Sequence, residues 1–337
     1  MGVIAIEAVA YELAPHRITS SALEEHISPT LTRLGLSRGQ FEQLTGIRER
    51  RFWDPQTTPS EAATRAARKV ITVADINPDD IGCLINTSVC KDYVEPSVAC
   101  LVHGNLKLAP HCLNYDIANA CLGFLNAIDT VGMMIEKGLI KYGLVVDGES
   151  SREVVESTLR RLQSHSASLE DFRNQFATLT LGSGAVAMLL CHRDRARAGH
   201  IINGSVSRAA TRYNRVCYGQ KDYMKTDSTA LLLAGVELAG ATWKQAAGIL
   251  PRWSDDTIDH YIPHQVSTRN MEVLCKALKL DFNKAFLNVQ TLGNIGPAAL
   301  PITLAMADDA GRLKPGDHVA LMGIGSGLNC TMMSVTW

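Results

Sequence analysis

The feature that most limits the fold of this 337-residue chain is a pattern that occurs twice. Ile81-Gly-Cys-Leu-Ile reads like Ile258-Asp-His-Tyr-Ile, 177 residues later, and Leu144-Val-Val-Asp-Gly like Val319-Ala-Leu-Met-Gly, 175 later. The segment around Cys121 falls opposite the segment around Asn294 at an offset of about 173. Near-constant offsets mark an internal duplication. The repeated unit is a short apolar run followed by a longer helical pattern. Apolar runs lie at 3–8, 81–86, 113–117, 142–147, 185–191 and 200–207, then at 258–262, 286–289, 318–323 and 329–337. Helical stretches fall between them at 60–74, 121–137, 228–247, 266–280 and 297–310. This alternation predicts parallel strands with helices on the faces, and the nearly continuous apolar runs predict strands buried on both sides. We therefore expect an α/β protein of two similar halves, residues 1–195 and 196–337, whose sheets pack against a shared central helical layer.

Segment 150–180 has no counterpart in the second half. Its apolar residues recur at helical spacing (Val155, Leu159, Leu162; Leu169, Phe172, Phe176). That predicts short amphipathic helices inserted over the body, covering a pocket or an oligomer interface.

Charge excludes some classes of function. Thirty-three basic and thirty-four acidic side chains leave a formal charge of −1, so no basic field exists to hold nucleic acid or an anionic membrane. Nine cysteines without CxxC pairing read as reduced thiols in a reducing compartment, neither a disulfide framework nor a zinc site. The N-terminus lacks the pattern of a signal peptide, and no uncharged apolar run reaches the length of a membrane span. The expectation is a cytoplasmic enzyme.

Three residues stand where chemistry is expected. Cys121, in Asn-Ala-Cys-Leu-Gly, follows a buried strand and opens a helix whose apolar face is Phe124, Ile128, Val131 and Ile135. A thiol in a first helical turn faces unpaired N–H groups and the positive end of the dipole, which favours thiolate and predicts a lowered pKa. Alone, such a residue is also compatible with an inert buried thiol. His264, in Ile-Pro-His-Gln, ends a strand, and Asn294, in Gly-Asn-Ile-Gly-Pro, sits in a strand-to-helix turn. All three lie beyond the carboxyl ends of strands, where open α/β sheets place their sites. Gly323-Ile-Gly-Ser-Gly327 brings a backbone N–H, that of Ser326, toward the cysteine. It leads into a β-like run and not a helix, which rules out a dinucleotide loop.

At these residues the chain resembles the thiolase-fold condensing enzymes, in particular the 3-oxoacyl-(acyl-carrier-protein) synthase III branch. The matching segments are Thr45-Gly-Ile-Arg-Glu-Arg, Ala118-Asn-Ala-Cys-Leu-Gly, Ile262-Pro-His-Gln, Gly293-Asn-Ile-Gly and Gly323-Ile-Gly-Ser-Gly, in the family's order across nearly the whole chain. The resemblance implies a duplicated five-layered α/β/α/β/α fold, usually dimeric, and an acyltransferase of lipid metabolism or fatty-acid biosynthesis without metal or redox cofactor. It implies Cys121 as the acyl-accepting nucleophile, with His264 and Asn294 polarising the second thioester. The backbone N–H groups of Cys121 and Ser326 would form the oxyanion hole, and Gly325, Gly327 and Arg212 are candidate substrate contacts.

Two departures refine this. Glu95, in Asp92-Tyr-Val-Glu-Pro-Ser, replaces an apolar aromatic residue, and this resembles the OleA branch, which joins two fatty acyl-coenzyme A molecules head to head into a β-keto acid. Asp147-Gly-Glu-Ser and Gly293-Asn-Ile-Gly-Pro-Ala share that likeness. In that branch the glutamate reaches across the dimer into the partner's site as a base. A plain acyl thioester must lose an α-proton, whereas a malonyl donor loses carbon dioxide, so a carboxylate has a task only in the former. Second, the Trp and Arg that sandwich the coenzyme's adenine in the synthase III branch are replaced by Gln40 and Leu44, with Trp53 and Arg51 on the other side of the motif. Carrier-protein substrates therefore stay open beside acyl-coenzyme A.

The expected function is non-decarboxylative Claisen condensation of two fatty acyl-coenzyme A molecules in a homodimer, and a downstream enzyme that processes the β-keto acid is a candidate partner. The alternatives are a decarboxylative synthase III using malonyl-carrier protein, acyl transfer to oxygen or nitrogen, and a non-catalytic acyl-binding scaffold.

Overall fold

In the computed structural model, which describes residues 2–337, nine strands form one continuous ladder. In chain order they are β1 (Ile4–Leu13), β2 (Ile81–Asn86), β3 (Leu113–Asp116), β4 (Tyr142–Glu149) and β5 (Gly184–His192). The second half supplies β6 (His200–Ala209), β7 (His260–Pro263), β8 (His318–Gly325) and β9 (Asn329–Thr336). The principal helices are α1 (Pro59–Ala74), α2 (Val98–Leu106), α3 (Gly123–Glu136), α4 (Arg152–Leu162) and α5 (Leu169–Gln175). They continue with α6 (Ser228–Ile249), α7 (Thr268–Leu278) and α8 (Ala299–Asp309).

The ladder runs β3-β2-β4-β5-β1-β6-β9-β8-β7, so β6, β9, β8 and β7 repeat the order of β1, β5, β4 and β2 outward from the middle, and β3 is an outer strand without a counterpart. The halves join where β1 meets β6 antiparallel, Ile4 opposite Ile202. Strand alternation then sorts side chains into layers. Val145, Val186 and Met188 of the first half and Ile262, Leu321 and Met333 of the second face one core that also contains α3 and α8. The opposite faces are covered by α1 and α2 on the first half and by α6 and α7 on the second. The result is the five-layered α/β/α/β/α arrangement of the thiolase fold.

Local chemistry explains the element ends. Thr58 caps α1 in a capping box with Glu61, Ser97 caps α2, and Ser267 caps α7 through the N–H of Asn270. Segment 150–180 forms α4, α5 and a 3-10 turn at Phe176–Thr180. Its apolar face (Val155, Leu159, Leu162, Phe172) packs with Leu23, Ile27, Leu31 and Phe41 of the N-terminal short helices. The run 286–289 is not a strand. Only Ala285 bridges Tyr261, because the side-chain oxygen of Gln265 takes the N–H groups of Asn288 and Val289 that a ladder would need.

No helix among the described residues is long and apolar enough to cross a membrane.

Candidate active site

Cys121 lies one residue before the Leu122 N-cap of α3, so it precedes the first turn that the sequence placed it in. Ala120 holds φ +44°, a left-handed conformation that costs a non-glycine residue about 1–3 kcal/mol. The turn is kept by its neighbours. Leu122 N–H donates to Asn119 O (3.0 Å), Asn119 Nδ2 to Asn126 Oδ1 (2.7 Å), and Asn329 Nδ2 to Asn119 Oδ1 (3.3 Å). Gly325 of β8 packs so tightly here that a Cβ on it would stand 3.2 Å from the Cys121 nitrogen. That contact ties the cysteine of the first half to β8 of the second.

His264 leaves β7 beside the same end of β8, its N–H donating to Met322 O at 2.8 Å. The imidazole is buried, its Nδ1 has no hydrogen-bond partner among the described residues, and no protein group engages its Nε2. Burial lowers its pKa to about 4, so the ring is neutral at physiological pH.

Asn294 is held by backbone pairing, its N–H donating to Thr180 O (2.9 Å) and its carbonyl accepting from Gly182 N–H (2.8 Å). Its Oδ1 accepts from Gly296 N–H at 3.0 Å, which fixes the amide plane and leaves Nδ2 uncommitted. Beneath this crossing lies the buried Arg50, donating to Ser20 Oγ and to Leu179 O (3.0 Å). Arg48 N–H donates to Gln290 O (2.8 Å), so the Thr45-Gly-Ile-Arg-Glu-Arg motif braces the Asn294 turn and does not line the site.

The thiol does not behave as expected. Burial first, then the Cys217 thiol and the carboxylates of Glu149 and Asp147, raise the Cys121 pKa to about 12, while its own backbone N–H pulls the other way. The resting sulfur is therefore a thiol. The helix-terminus argument fails because the residue is buried and sits before the first turn, with the Cys217, Glu149 and Asp147 groups adding to the effect of burial.

Asp147, Glu149 and Cys217 went unassigned as site residues in the sequence. Asp147 and Glu149 sit at the carboxyl end of β4, two apart on one face of the strand and both buried. Such a pair in an apolar strand end is a legible signal, because like-charged buried carboxylates rarely serve packing. Cys217, in a two-stranded ribbon with Met224–Thr226, carried no signal at all.

Other expected residues are spread more widely. Glu95 lies on an exposed segment between Tyr93 and Val94 (60% and 98% exposed) and the start of α2, with no partner in its own chain. Ser326 and Gly327 form the turn joining β8 to β9, with Gly327 at φ +134°. Arg212 is exposed, paired with Glu237 (2.8 Å) and stacked over Tyr213 on the α6 side. Trp53 is buried and donates to Glu149 O (2.9 Å), while Arg51 donates to Ala14 O (3.1 Å), so neither is free to clasp an adenine. Leu44 is exposed and Gln40 half-buried.

Cys121 and His264 both adjoin β8, through Gly325 and Met322, and Asn294 presents a fixed carboxamide on the turn that Gly296 packs against Glu149; a thiol, a neutral imidazole and a carboxamide are groups suited to acyl transfer. Comparison with known proteins agrees. Residues 115–208 match the sequence profile of 3-oxoacyl-[acyl-carrier-protein] synthase III and residues 251–337 that of its C-terminal part. The acyl-CoA:acyl-CoA alkyltransferase of Xanthomonas campestris pv. campestris is 43% identical, covering 99% of this chain and 98% of the relative. That of Shewanella oneidensis is 38% identical, covering 98% of each. A beta-ketoacyl-[acyl-carrier-protein] synthase III of Clostridium tetani is 28% identical over 87% of this chain and 88% of its own. Among solved structures, a Xanthomonas campestris OleA variant with a replaced histidine superposes with a TM-score of 0.97, at 43% identity over 99% of this chain and 98% of that one. A cysteine-to-serine variant of the same enzyme, with bound lauric acid and lauroyl-CoA, also gives 0.97 at 43% identity, over 99% of both chains.

Proposed function

This chain belongs to the 3-oxoacyl-(acyl-carrier-protein) synthase III family of thiolase-fold condensing enzymes, and from that premise we propose that it joins two fatty acyl-coenzyme A molecules head to head. Cys121 Sγ attacks the first thioester, its proton leaves with the departing coenzyme thiol, and the acyl group stays on sulfur. The second acyl-coenzyme A loses an α-proton to Glu95 of a second copy of this chain. Its enolate oxygen is held by His264, a neutral donor, and by Asn294 Nδ2. The α-carbon then attacks the Cys121 thioester and expels the sulfur, which recovers a proton. Water finally cleaves the β-ketoacyl thioester, so two acyl-coenzyme A molecules and one water give a β-keto acid and two coenzyme thiols. The backbone N–H groups of Cys121 and Ser326 take the oxyanion of each tetrahedral state, worth about 3–4 kcal/mol per donor. The product is handed to an enzyme that processes β-keto acids, and the chemistry runs in the cytoplasm.

The observation that carries this reading is the buried His264 imidazole at the end of β7, whose Nδ1 has no hydrogen-bond partner among the described residues. An inert core histidine would have a partner. The exposed Tyr93-Val94-Glu95 tip supports a homodimer that exchanges glutamates, since two apolar residues and an unpaired carboxylate there serve nothing in the monomer.

The test supplies one long-chain acyl-coenzyme A and no malonyl donor. Coenzyme release with a β-keto acid or its ketone is expected, and Glu95→Gln should stop condensation while Cys121 still acylates. Strict dependence on malonyl-carrier protein would overturn the proposal in favour of a decarboxylative synthase.

A further inference from the structure

Glu149 touches more of the site than any residue assigned above. Its backbone is fixed from three sides. A Cβ at Gly148 would stand 2.1 Å from Pro59 O, Gly148 N–H donates to Ser88 Oγ (2.8 Å), and Trp53 Nε1 donates to Glu149 O (2.9 Å). From this fixed base the carboxylate reaches the root of the segment that leads to Glu95, accepting Val89 N–H on Oε1 (2.6 Å) and Cys90 N–H on Oε2 (3.3 Å). On its other side, a Cβ at Gly296 would lie 3.4 Å from Glu149 Cδ, and Gly296 is the residue whose N–H holds the Asn294 amide. Beside it Asp147 accepts from Thr87 Oγ1 through Oδ2, while its Oδ1 is buried without a partner.

We propose that Glu149 is a positioning residue for the condensation: one carboxylate fixes the root of the Glu95 segment, backs the turn that aims Asn294, and with Asp147 sets the charge beneath the Cys121 sulfur. The proposal rests on the roles given to Glu95 and Asn294 in the preceding section. Two adjacent buried carboxyls, one oxygen lacking any donor, do not both stay ionised. Burial and the Glu149 charge raise Asp147 well above the carboxylate range, and burial raises Glu149 to about 7. The pair therefore carries a proton at neutral pH, and the charge that remains adds to burial in keeping the sulfur a thiol until a thioester is bound. The titratable groups facing the sulfur are Cys217, Glu149 and Asp147; those facing Glu149 are Asp147, Cys90 and the sulfur itself.

The test compares the full-length protein with Glu149→Gln, Glu149→Asp and Asp147→Asn. Iodoacetamide alkylation of Cys121, located by peptide mass spectrometry, is followed from pH 6 to 10.5. Removing the Glu149 charge should make alkylation about tenfold faster across this range, as a thiol one unit more acidic would. In Glu149→Gln, Cys121 should still acylate while condensation falls at least tenfold, because the amide presents N–H to Cys90 N–H. Glu149→Asp should restore the wild-type alkylation profile but not full condensation, its shorter reach losing the Val89 and Cys90 N–H groups. A carboxylate that merely satisfied loop N–H groups would change the melting temperature and leave the alkylation profile alone. An unmoved profile in a folded Glu149→Gln overturns the proposal, whereas Asp147→Asn, which leaves the Glu149 charge in place, should keep the wild-type profile; if Glu149→Gln does not fold, Glu149→Asp condensing at the wild-type rate overturns it. Alkylation needs no acyl substrate. A wild-type protein that fails to condense acyl-coenzyme A thus sinks the functional reading separately.

Discussion

Gly182→Ala is a small change with a large expected effect on one half of the reaction. Gly182 is buried where its segment crosses the Asn294 turn, its N–H bonded to Asn294 O at 2.8 Å. A Cβ there would stand 2.0 Å from Leu292 O and 3.4 Å from Arg50 Cβ, and real Cβ contacts do not fall below 3.0 Å. The Leu292 carbonyl must therefore move by about 1 Å, and the buried Arg50 blocks retreat on the other side. Overpacking of this kind costs about 1–3 kcal/mol of stability. Leu292 is two residues from Asn294, so the carboxamide moves with it, and a displacement near 1 Å costs roughly 100-fold in rate. Cys121 stands on another segment and should keep its reactivity. Denaturant unfolding reads the first effect. Mass spectrometry of the acyl adduct on Cys121, beside product formation from one acyl-coenzyme A, separates acylation from condensation. The expected variant acylates like the wild type and condenses about a hundredfold more slowly. Wild-type condensation, or equal loss of both steps, would refute the reasoning.

Two further outcomes follow from the same geometry. His264 has a folded pKa near 4, below the ordinary imidazole value, so it stays neutral as pH falls from 8 to 5 and gains a proton only near 4. Its ring resonance in NMR should not titrate above pH 5, and His264→Ala should lower condensation by about 10²–10³ through loss of a donor; a titration near 6.5 would contradict this. Arg50→Met removes the donors to Ile18 O, Leu179 O and Ser20 Oγ and leaves buried acceptors unpaired, so unfolding should show a loss of about 1–3 kcal/mol. Equal stability would mean that burying the guanidinium, which lowers its pKa to about 10, cancels what its hydrogen bonds contribute.

What the sequence disclosed divides by range of interaction. The layer architecture was legible because apolar runs and helical periods are local and repeat at a constant offset. Cys121 and His264 were singled out because each follows a strand and precedes a helix; Asn294 was singled out by its glycine and proline neighbours, although it follows the short helix Val289–Leu292 and not the strand expected there. The small ribbons at His16–Thr19 with Glu49–Phe52 and at Cys217–Gly219 with Met224–Thr226 escaped, since pairs of three or four residues leave no periodicity to read. The strand expected at 286–289 failed because a distant side chain, Gln265, took its N–H groups. The charge state of the thiol failed for the same kind of reason. Dipole and helix start are local, whereas the carboxylates of β4 meet the sulfur only through the tertiary fold.

That failure bears on how the site works. With a value near 12, forming the Cys121 thiolate at pH 8 costs about 5 kcal/mol at roughly 1.4 kcal/mol per unit. A resting anion is therefore not the source of reactivity. Two oxyanion donors worth about 3–4 kcal/mol each are of the size needed to offset that cost, and they act only once a carbonyl oxygen develops charge. A site arranged this way attacks a thioester it has already bound and leaves free electrophiles alone. The same carboxylates that oppose a free thiolate do not oppose an acylated sulfur, which bears no charge. The acyl-enzyme that waits for its second substrate, like the resting thiol, therefore meets no repulsion from these carboxylates, whereas a thiolate would.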